Sequence, residues 1–240
     1  MKNIYDLLKN TEMPEKIENN PIKDAVVEIK FESVENIPYQ AVYGMIFNEF
    51  RHDYPLNEEL PITRVPEHIR MKDPGMIFQP YHVMKNDKYK LKIGPRVILI
   101  GINGKYRGWN EFKPAIIDFI EKVLKYNFIK KITRIGTRYI NLFESQPEEV
   151  FKMEMLLNKE TIQTEDFYHR FVFKNAENNV KTNIQLVKNA KMPQLTIKVG
   201  PVLDIDSYAD GDINMELKNI EDIIEKIHHN TKLFYFGLIR

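Results

Sequence analysis

The sequence predicts an α+β fold: two similar β-α-β-β-β-α units, an internal duplication, forming a curved antiparallel sheet with helices packed on one face. Three observations predict it. KIGPRVILI, from Lys92 to Ile100, is answered by KVGPVLDID, from Lys198 to Asp206. DFIEKV, from Asp118 to Val123, is answered in the same order by DIIEKI, from Asp222 to Ile227. Around both pairs, short alternating stretches are followed by longer stretches with helical periodicity, the arrangement of a helix laid on an antiparallel sheet. Gly-Pro recurs because it bends a chain: glycine releases φ, and proline sets φ without donating to a ladder.

The elements follow in order. Residues 1–20 are an N-terminal segment, 21–129 the first unit and 130–240 the second. In Ile22 to Phe31, Ala25, Val27, Ile29 and Phe31 alternate with Asp24, Glu28 and Lys30, the period of a half-buried strand. Val42, Ile46 and Phe50 recur every four residues and make Pro38 to Phe50 a helix. Pro55, Pro61, Pro66, Pro74 and Pro80 make residues 54–80 an extended, stiff connection. Two or three strands follow between Met76 and Ile102, with Lys88, Lys90 and Lys92 on one side and Tyr89, Leu91 and Ile93 on the other. A helix from Trp109 to Tyr126 buries Phe112, Ile116, Phe119, Ile120 and Val123. Lys130 to Phe143 is a long strand. A short turn or helix at Ser145 to Phe151 precedes strands near 152–158, 166–174, 180–188 and 194–206, with a polar hairpin turn at Ala176 to Asn179. A helix from Asn214 to His229 and a closing strand, LFYFGLI, complete the chain.

Composition narrows the class. With 240 residues, 43% hydrophobic and 29% charged, the chain reads as soluble and globular. The absence of cysteine removes disulfides, thiolate metal sites and a cysteine nucleophile, and suits a cytoplasmic location. No apolar run reaches the roughly 18 residues of a membrane span. Net charge is only +1, yet it is segregated. Residues 1–84 carry nine Lys/Arg against fourteen Asp/Glu, residues 85–140 fourteen against four, and residues 141–225 nine against sixteen. Either the centre meets an anionic partner, or the basic and acidic segments face each other in the fold.

Candidate site residues come from that centre. On a strand, Arg134, Gly136 and Arg138 share a face, and two guanidinium forks can seat a phosphate or carboxylate. The counter-reading pairs both arginines with acids. GINGKYRGWNEF places Tyr106, Arg107 and Trp109 together, where an aromatic ring beside a cation can stack a base, or where Trp109 staples the helix start. Lys88, Lys90, Lys92 and Arg96 extend the basic set. Asp204, Asp206, Asp210 and Asp212 form an acidic group that fails as a calcium loop, since Met215 stands where glycine is required. Asp212 or Asn214 as a helix cap is the better account. His228 and His229 are read as cations suited to a last helical turn. The scattered histidines show no metal spacing, and no phosphate loop, dinucleotide fingerprint or nucleophile elbow is present, so no catalytic, metal or cofactor residue is assigned.

PIKDAVVEIKF, KIGPRVILI, RGW, IGTRYINLF and LDIDSY together resemble a sporadically distributed bacterial and archaeal family of conserved hypothetical proteins of about 250 residues. The resemblance spans about residues 20–240. It implies no activity; its patchy distribution implies an accessory role, of the kind found in defence or toxin–antitoxin loci.

The expected function is a non-catalytic binding protein that engages a protein partner through its sheet and proline-rich loop. Two other readings stand beside it: nucleic-acid binding by the basic segment 85–140, and an enzyme holding a small anionic substrate at Arg134 and Arg138.

Overall fold

A computed structural model describes residues 3–14, 20–35, 37–162, 164–191 and 199–240. Along the chain run α1 (Ile4–Leu8), β1 (Ile22–Ser33), α2 (Tyr39–Phe50), β2 (Leu56–Glu59), a 3-10 turn (Pro61–Arg64), α3 (Glu67–Arg70), β3 (His82–Lys85), β4 (Tyr89–Gly94), β5 (Val97–Ile102), α4 (Trp109–Leu124), β6 (Ile129–Leu142), α5 (Pro147–Val150), β7 (Leu156–Leu157), β8 (Glu160–Thr161), β9 (Tyr168–Lys174), β10 (Lys181–Lys191), β11 (Val199–Ile213) and α6 (Leu217–Leu238). The fold class is α+β. A nine-stranded antiparallel sheet has the order β2-β3-β4-β5-β1-β6-β11-β10-β9, and β7 and β8 pair separately.

The chain divides into two compact units. The larger comprises Ala25–Gly136 and Ala209–Ile224, the smaller Met1–Asp24, Thr137–Tyr208 and Glu225–Arg240. In the larger unit β1 pairs with β5, β5 with β4, β4 with β3 and β3 with β2. Directly opposite residues share a face, so Ile29, Ile98 and Ile93 align on one side and Glu28, Leu99 and Lys92 on the other. The first side is dry: Val27, Ile29, Leu91, Ile93, Ile98 and Ile100 are buried with Val42, Ile46 and Phe50 of α2 and Phe112, Ile116 and Phe119 of α4. Phe50 meets Phe119 at 5.4 Å between ring centres.

In the smaller unit β10 pairs with β9 and with β11. Ile184, Leu186, Leu203, Ile205, Leu233 and Phe234 form its core, with Leu8 of α1. A side chain at Gly237 would collide with Leu8, so glycine there lets α1 close on α6. Under α6 lie four buried hydroxyls. Thr231 Oγ1 is 2.9 Å from Ser207 Oγ and 3.3 Å from Thr137 Oγ1, and Ser207 Oγ is 3.1 Å from Thr182 Oγ1. Each hydroxyl offers one proton and two lone pairs, so the chain closes without an orphan, and Ile227 O takes a further bond from Thr231.

Several expectations are corrected. LFYFGLI is not a strand but the end of α6, because Leu233, Phe234 and Tyr235 continue a helical stripe onto the core. His228 therefore lies within the helix rather than in its last turn, and it is buried. The strand near 152–158 reduces to β7, with an isolated bridge from Phe151 to Ile239. Residues 54–80 are not simply extended: they hold β2, a 3-10 turn and α3, each of four residues, with prolines at the element starts. Asp212 lies on β11 rather than at a helix cap, while Asn214 Oδ1 accepts from Glu216 N beyond the strand. The expected strand residues 194–198, including Lys198, lie outside the described residues.

The two Gly-Pro pairs differ in local role. Gly94 and Val97 pair across a two-residue turn formed by Pro95 and Arg96. Gly200 and Pro201 sit inside β11 where its register with β10 shifts between Val187 and Ala190, the kind of bulge that admits proline. What they share is close approach. A Cβ at Gly94 would strike Gln79 O, and one at Gly200 would strike Phe143 O.

Burial drives the His228 pKa down from 6.5 to about 3, with Lys232 and His229 adding repulsion. The folded state therefore binds this proton less readily than the unfolded chain. Stability from neutral His228 is complete above about pH 6.5 and is lost as pH falls from there towards 3. Urea unfolding at pH 7.5 and pH 5.5 should show a loss on the order of 1 kcal/mol for this one group, and His228→Gln should flatten that limb.

Candidate functional site

The basic centre is met by acids from the flanking segments. Arg134 pairs with Glu28, and Lys130 with Glu35. Lys85 pairs with Glu58, Lys113 with Glu221 and Lys131 with Asp212. Arg138 holds Asp204 through Nε to Oδ1 at 2.9 Å and Nη2 to Oδ2 at 2.6 Å, the bidentate fork. The segregation of charge along the chain is thus matched by pairing across it. Arg134 and Arg138 each address a carboxylate of the protein, and Gly136 between them is buried.

The remaining predicted residues gather less closely. Lys88 and Arg107 both reach Glu111 Oε1, at 3.1 and 3.5 Å. Tyr106 is buried edge-on to Phe112, and Trp109 packs edge-on to the same ring at the start of α4. The cavity beside Lys88, Tyr106 and Arg107 measures about 10 Å³, room for one water rather than a base. Lys90 and Lys92 point from β4 to the side opposite Leu91 and Ile93, and Arg96 occupies the β4–β5 turn, its carbonyl accepting from Phe31 N.

One constellation was not anticipated. His82 Nδ1 lies 2.6 Å from Tyr39 Oη, its ring stacks on Tyr43 at 3.9 Å, and Nε2 lies 3.7 Å from Glu59 Oε1. The trio has the residue types of a proton relay. Its electrostatics point the other way: burial raises the Tyr39 phenol above its ordinary value and lowers the His82 imidazole, with Glu59 opposing the second effect. Both groups are held neutral, the state that suits a packed edge of α2 on β3. Periodicity could have shown only that Tyr39 and Tyr43 share a helix face.

A second feature also escaped the sequence reading. β9 ends the nine-stranded sheet. Lys188 N donates to Phe167 O and Asn175 N to Val180 O, so the odd-numbered residues from 167 to 175 turn their backbone groups towards β10. In an antiparallel ladder the alternate residues face away. Tyr168, Arg170, Val172 and Lys174 therefore present N–H and C=O outward. Tyr168 and Val172 are 59% and 56% exposed. On the other side of the strand, Phe167, His169, Phe171 and Phe173 form a ring ladder that ends on Phe234 of α6.

Beside the start of β9 is a cavity of about 210 Å³, lined among others by Phe151, Met153, Met155, Phe167, His169 and Leu186. His169 Nε2 lies 3.0 Å from Met155 Sδ, and among the described residues Thr164 Oγ1 is buried there with no hydrogen-bond partner. Leu156, Leu157 and Ile162 are exposed on and beside the β7–β8 hairpin. Residues 144–166 carry seven acids against two lysines.

No family model matches the sequence, and no curated protein matches it. Among the described residues no cluster of acids and histidines is placed to hold a metal ion, and no helix is long and apolar enough to cross a membrane.

Asp204 is 6% exposed, so it depends on Arg138. Arg138→Ala should destabilise the protein by about 2–3 kcal/mol, because a buried carboxylate loses its partner. The midpoint of urea unfolding measures this. An arginine serving only an external anion would leave that midpoint unchanged.

Proposed function

We propose that this protein is a non-catalytic binding protein that takes an extended segment of a partner protein onto β9. The observation that carries the reading is the contrast between the two edges of the sheet. β2 is four residues long, has Glu58 and Glu59 in it, and is bracketed by Pro55 and Pro61. Those are the devices by which an edge is protected from pairing. β9 is seven residues long, contains no proline and exposes Tyr168 and Val172. Arg170 and Lys174 charge this edge, but its length and freedom from proline leave the outward backbone groups able to take an added strand.

The other two readings have less behind them. Nucleic-acid binding draws on a basic segment whose side chains are largely engaged by the protein's own acids. An anionic-substrate enzyme draws on Arg134 and Arg138, which are paired with Glu28 and Asp204. The internal duplication stays a proposal. It is supported by a strand order that reads outward alike from its centre, β1-β5-β4-β3 and β6-β11-β10-β9. The resemblance to a sporadically distributed family fits an accessory factor, in a defence or toxin–antitoxin setting, acting on a partner in the cytoplasm.

Val172→Pro tests the reading. Residue 172 directs its N–H outward, so proline there removes a docking donor and leaves the β10 ladder intact. Protein retained from native extract by the wild type should be lost by Val172→Pro at unchanged melting temperature; equal retention would sink the proposal. Fluorescence anisotropy with labelled DNA and RNA should show no salt-sensitive binding between about 50 and about 200 mM salt, whereas a steep loss across that range would favour the basic segment instead.

A further inference from the structure

We propose that the segment docking on β9 is acidic, with two carboxylate side chains four residues apart that meet Arg170 and Lys174. The inference rests on the reading of β9 as a docking edge and adds the chemistry of what docks.

The register of the edge carries it. Tyr168, Arg170, Val172 and Lys174 turn their backbone groups outward. Side chains two apart share a face, so all four stand on the side of the sheet away from Phe167, His169, Phe171 and Phe173. All four are exposed. An added strand sets one residue opposite each of them, with Cβ atoms about 5 Å apart, within reach for a cross-strand pair. The residues that face Arg170 and Lys174 are then four apart in the added segment, whichever way it runs, and the residue midway between them faces Val172.

The ladder itself does not answer these two charges. Arg170 gives Nε to the neutral side-chain oxygen of Asn183 at 2.9 Å, which leaves its two terminal nitrogens for a carboxylate. Among the described residues, neither Arg170 nor Lys174 is in an ion pair. On β10, Gln185 stands opposite Arg170, and Lys181 stands opposite Lys174 as a third cation. The acids of this face are a strand further in, Asp204 opposite Gln185 and Asp206 opposite Asn183, and Asp204 is already held by Arg138. Glu165, Asp166 and Glu177 lie beyond the ends of the β9–β10 ladder. Cations on an edge deter a basic strand, because like charges would stand directly opposite each other. The same cations favour a strand whose acids fall in register with them, so they select among partners as well as protect the edge.

The test uses fluorescein-labelled peptides of about nine residues, long enough to span β9, in which threonine and valine alternate. One carries two glutamates four apart, one carries two lysines at the same positions, and one carries two glutamates three apart, which fall on opposite faces. Anisotropy titration of wild type at about 50 mM salt should give saturable binding of the first peptide with Kd below about 100 μM. The lysine peptide should bind about tenfold more weakly or worse, and the peptide with glutamates three apart about threefold more weakly. Arg170→Glu/Lys174→Glu, at two exposed positions, should reverse the preference and take the lysine peptide, a gain that misfolding would not produce. If wild type binds the glutamate and lysine peptides equally and Val172→Pro abolishes both, the charge assignment is overturned and the docking edge survives. If the spacing of the glutamates makes no difference, the register is overturned. If Val172→Pro still binds the first peptide as wild type does, the acids are met elsewhere and the inference falls. If wild type binds no peptide, the inference also falls, and loss of the native partner by Val172→Pro decides separately whether the edge reading stands.

Discussion

Four hydroxyls buried beneath α6 set a constraint on which the smaller unit depends. Thr137, Thr182, Ser207 and Thr231 come from three strands and a helix, and each is at most 5% exposed. A buried hydroxyl without a partner costs on the order of 1–3 kcal/mol, so these groups are tolerable only together. Sliding α6 by one residue would remove Thr231 from Ser207 and Thr137 at once. The aliphatic core around Leu203, Ile205 and Phe234 supplies the bulk of the burial, but apolar contact is non-directional. The hydroxyl chain supplies the direction, and with it the position of Phe234 under the ring ladder of β9.

The sheet shows the same division of labour in both units. One face is dry and aliphatic under its helices. The opposite face carries charge, and there the protein meets its own charge: Arg134 with Glu28 in the larger unit, Arg138 with Asp204 in the smaller. Pairing of this kind makes net stability small and specificity large, since a strand out of register would bury Asp204 without its fork. A face satisfied internally has little left to offer a ligand. Away from that paired face, among the described residues, lie the outward backbone of β9 and the apolar cavity beside it. The functional reading therefore moves from the centre of the chain to the edge of the sheet.

Sequence-local signals accounted for much of the fold. The alternation in Ile22 to Phe31, the four-residue spacing of Val42, Ile46 and Phe50, and the stripe from Phe112 to Val123 each became the predicted element, because each records burial by neighbours only a few residues away. LFYFGLI misled because a run of aromatic and branched residues suits a strand and a fully buried helix end equally. Its connection to the Leu217 helix settled the matter. His228 misled for the same reason: a histidine near a helix end reads as a cation until the helix is seen to continue and bury it.

By itself, the sequence determined the α+β class, the order of most elements and the segregation of charge, since all three are properties of neighbouring residues along the chain. Only the tertiary structure decided that the basic centre is answered by Glu28, Asp204, Asp212 and Glu221, some of them more than a hundred positions away. It alone decided that β2 and β9 are the two edges of the sheet. An edge is defined by the strand that is missing beside it, and no local pattern records that. It also decided that Phe151, Met155 and Phe167 enclose a cavity, because a cavity is a volume left between segments rather than a feature of any one of them.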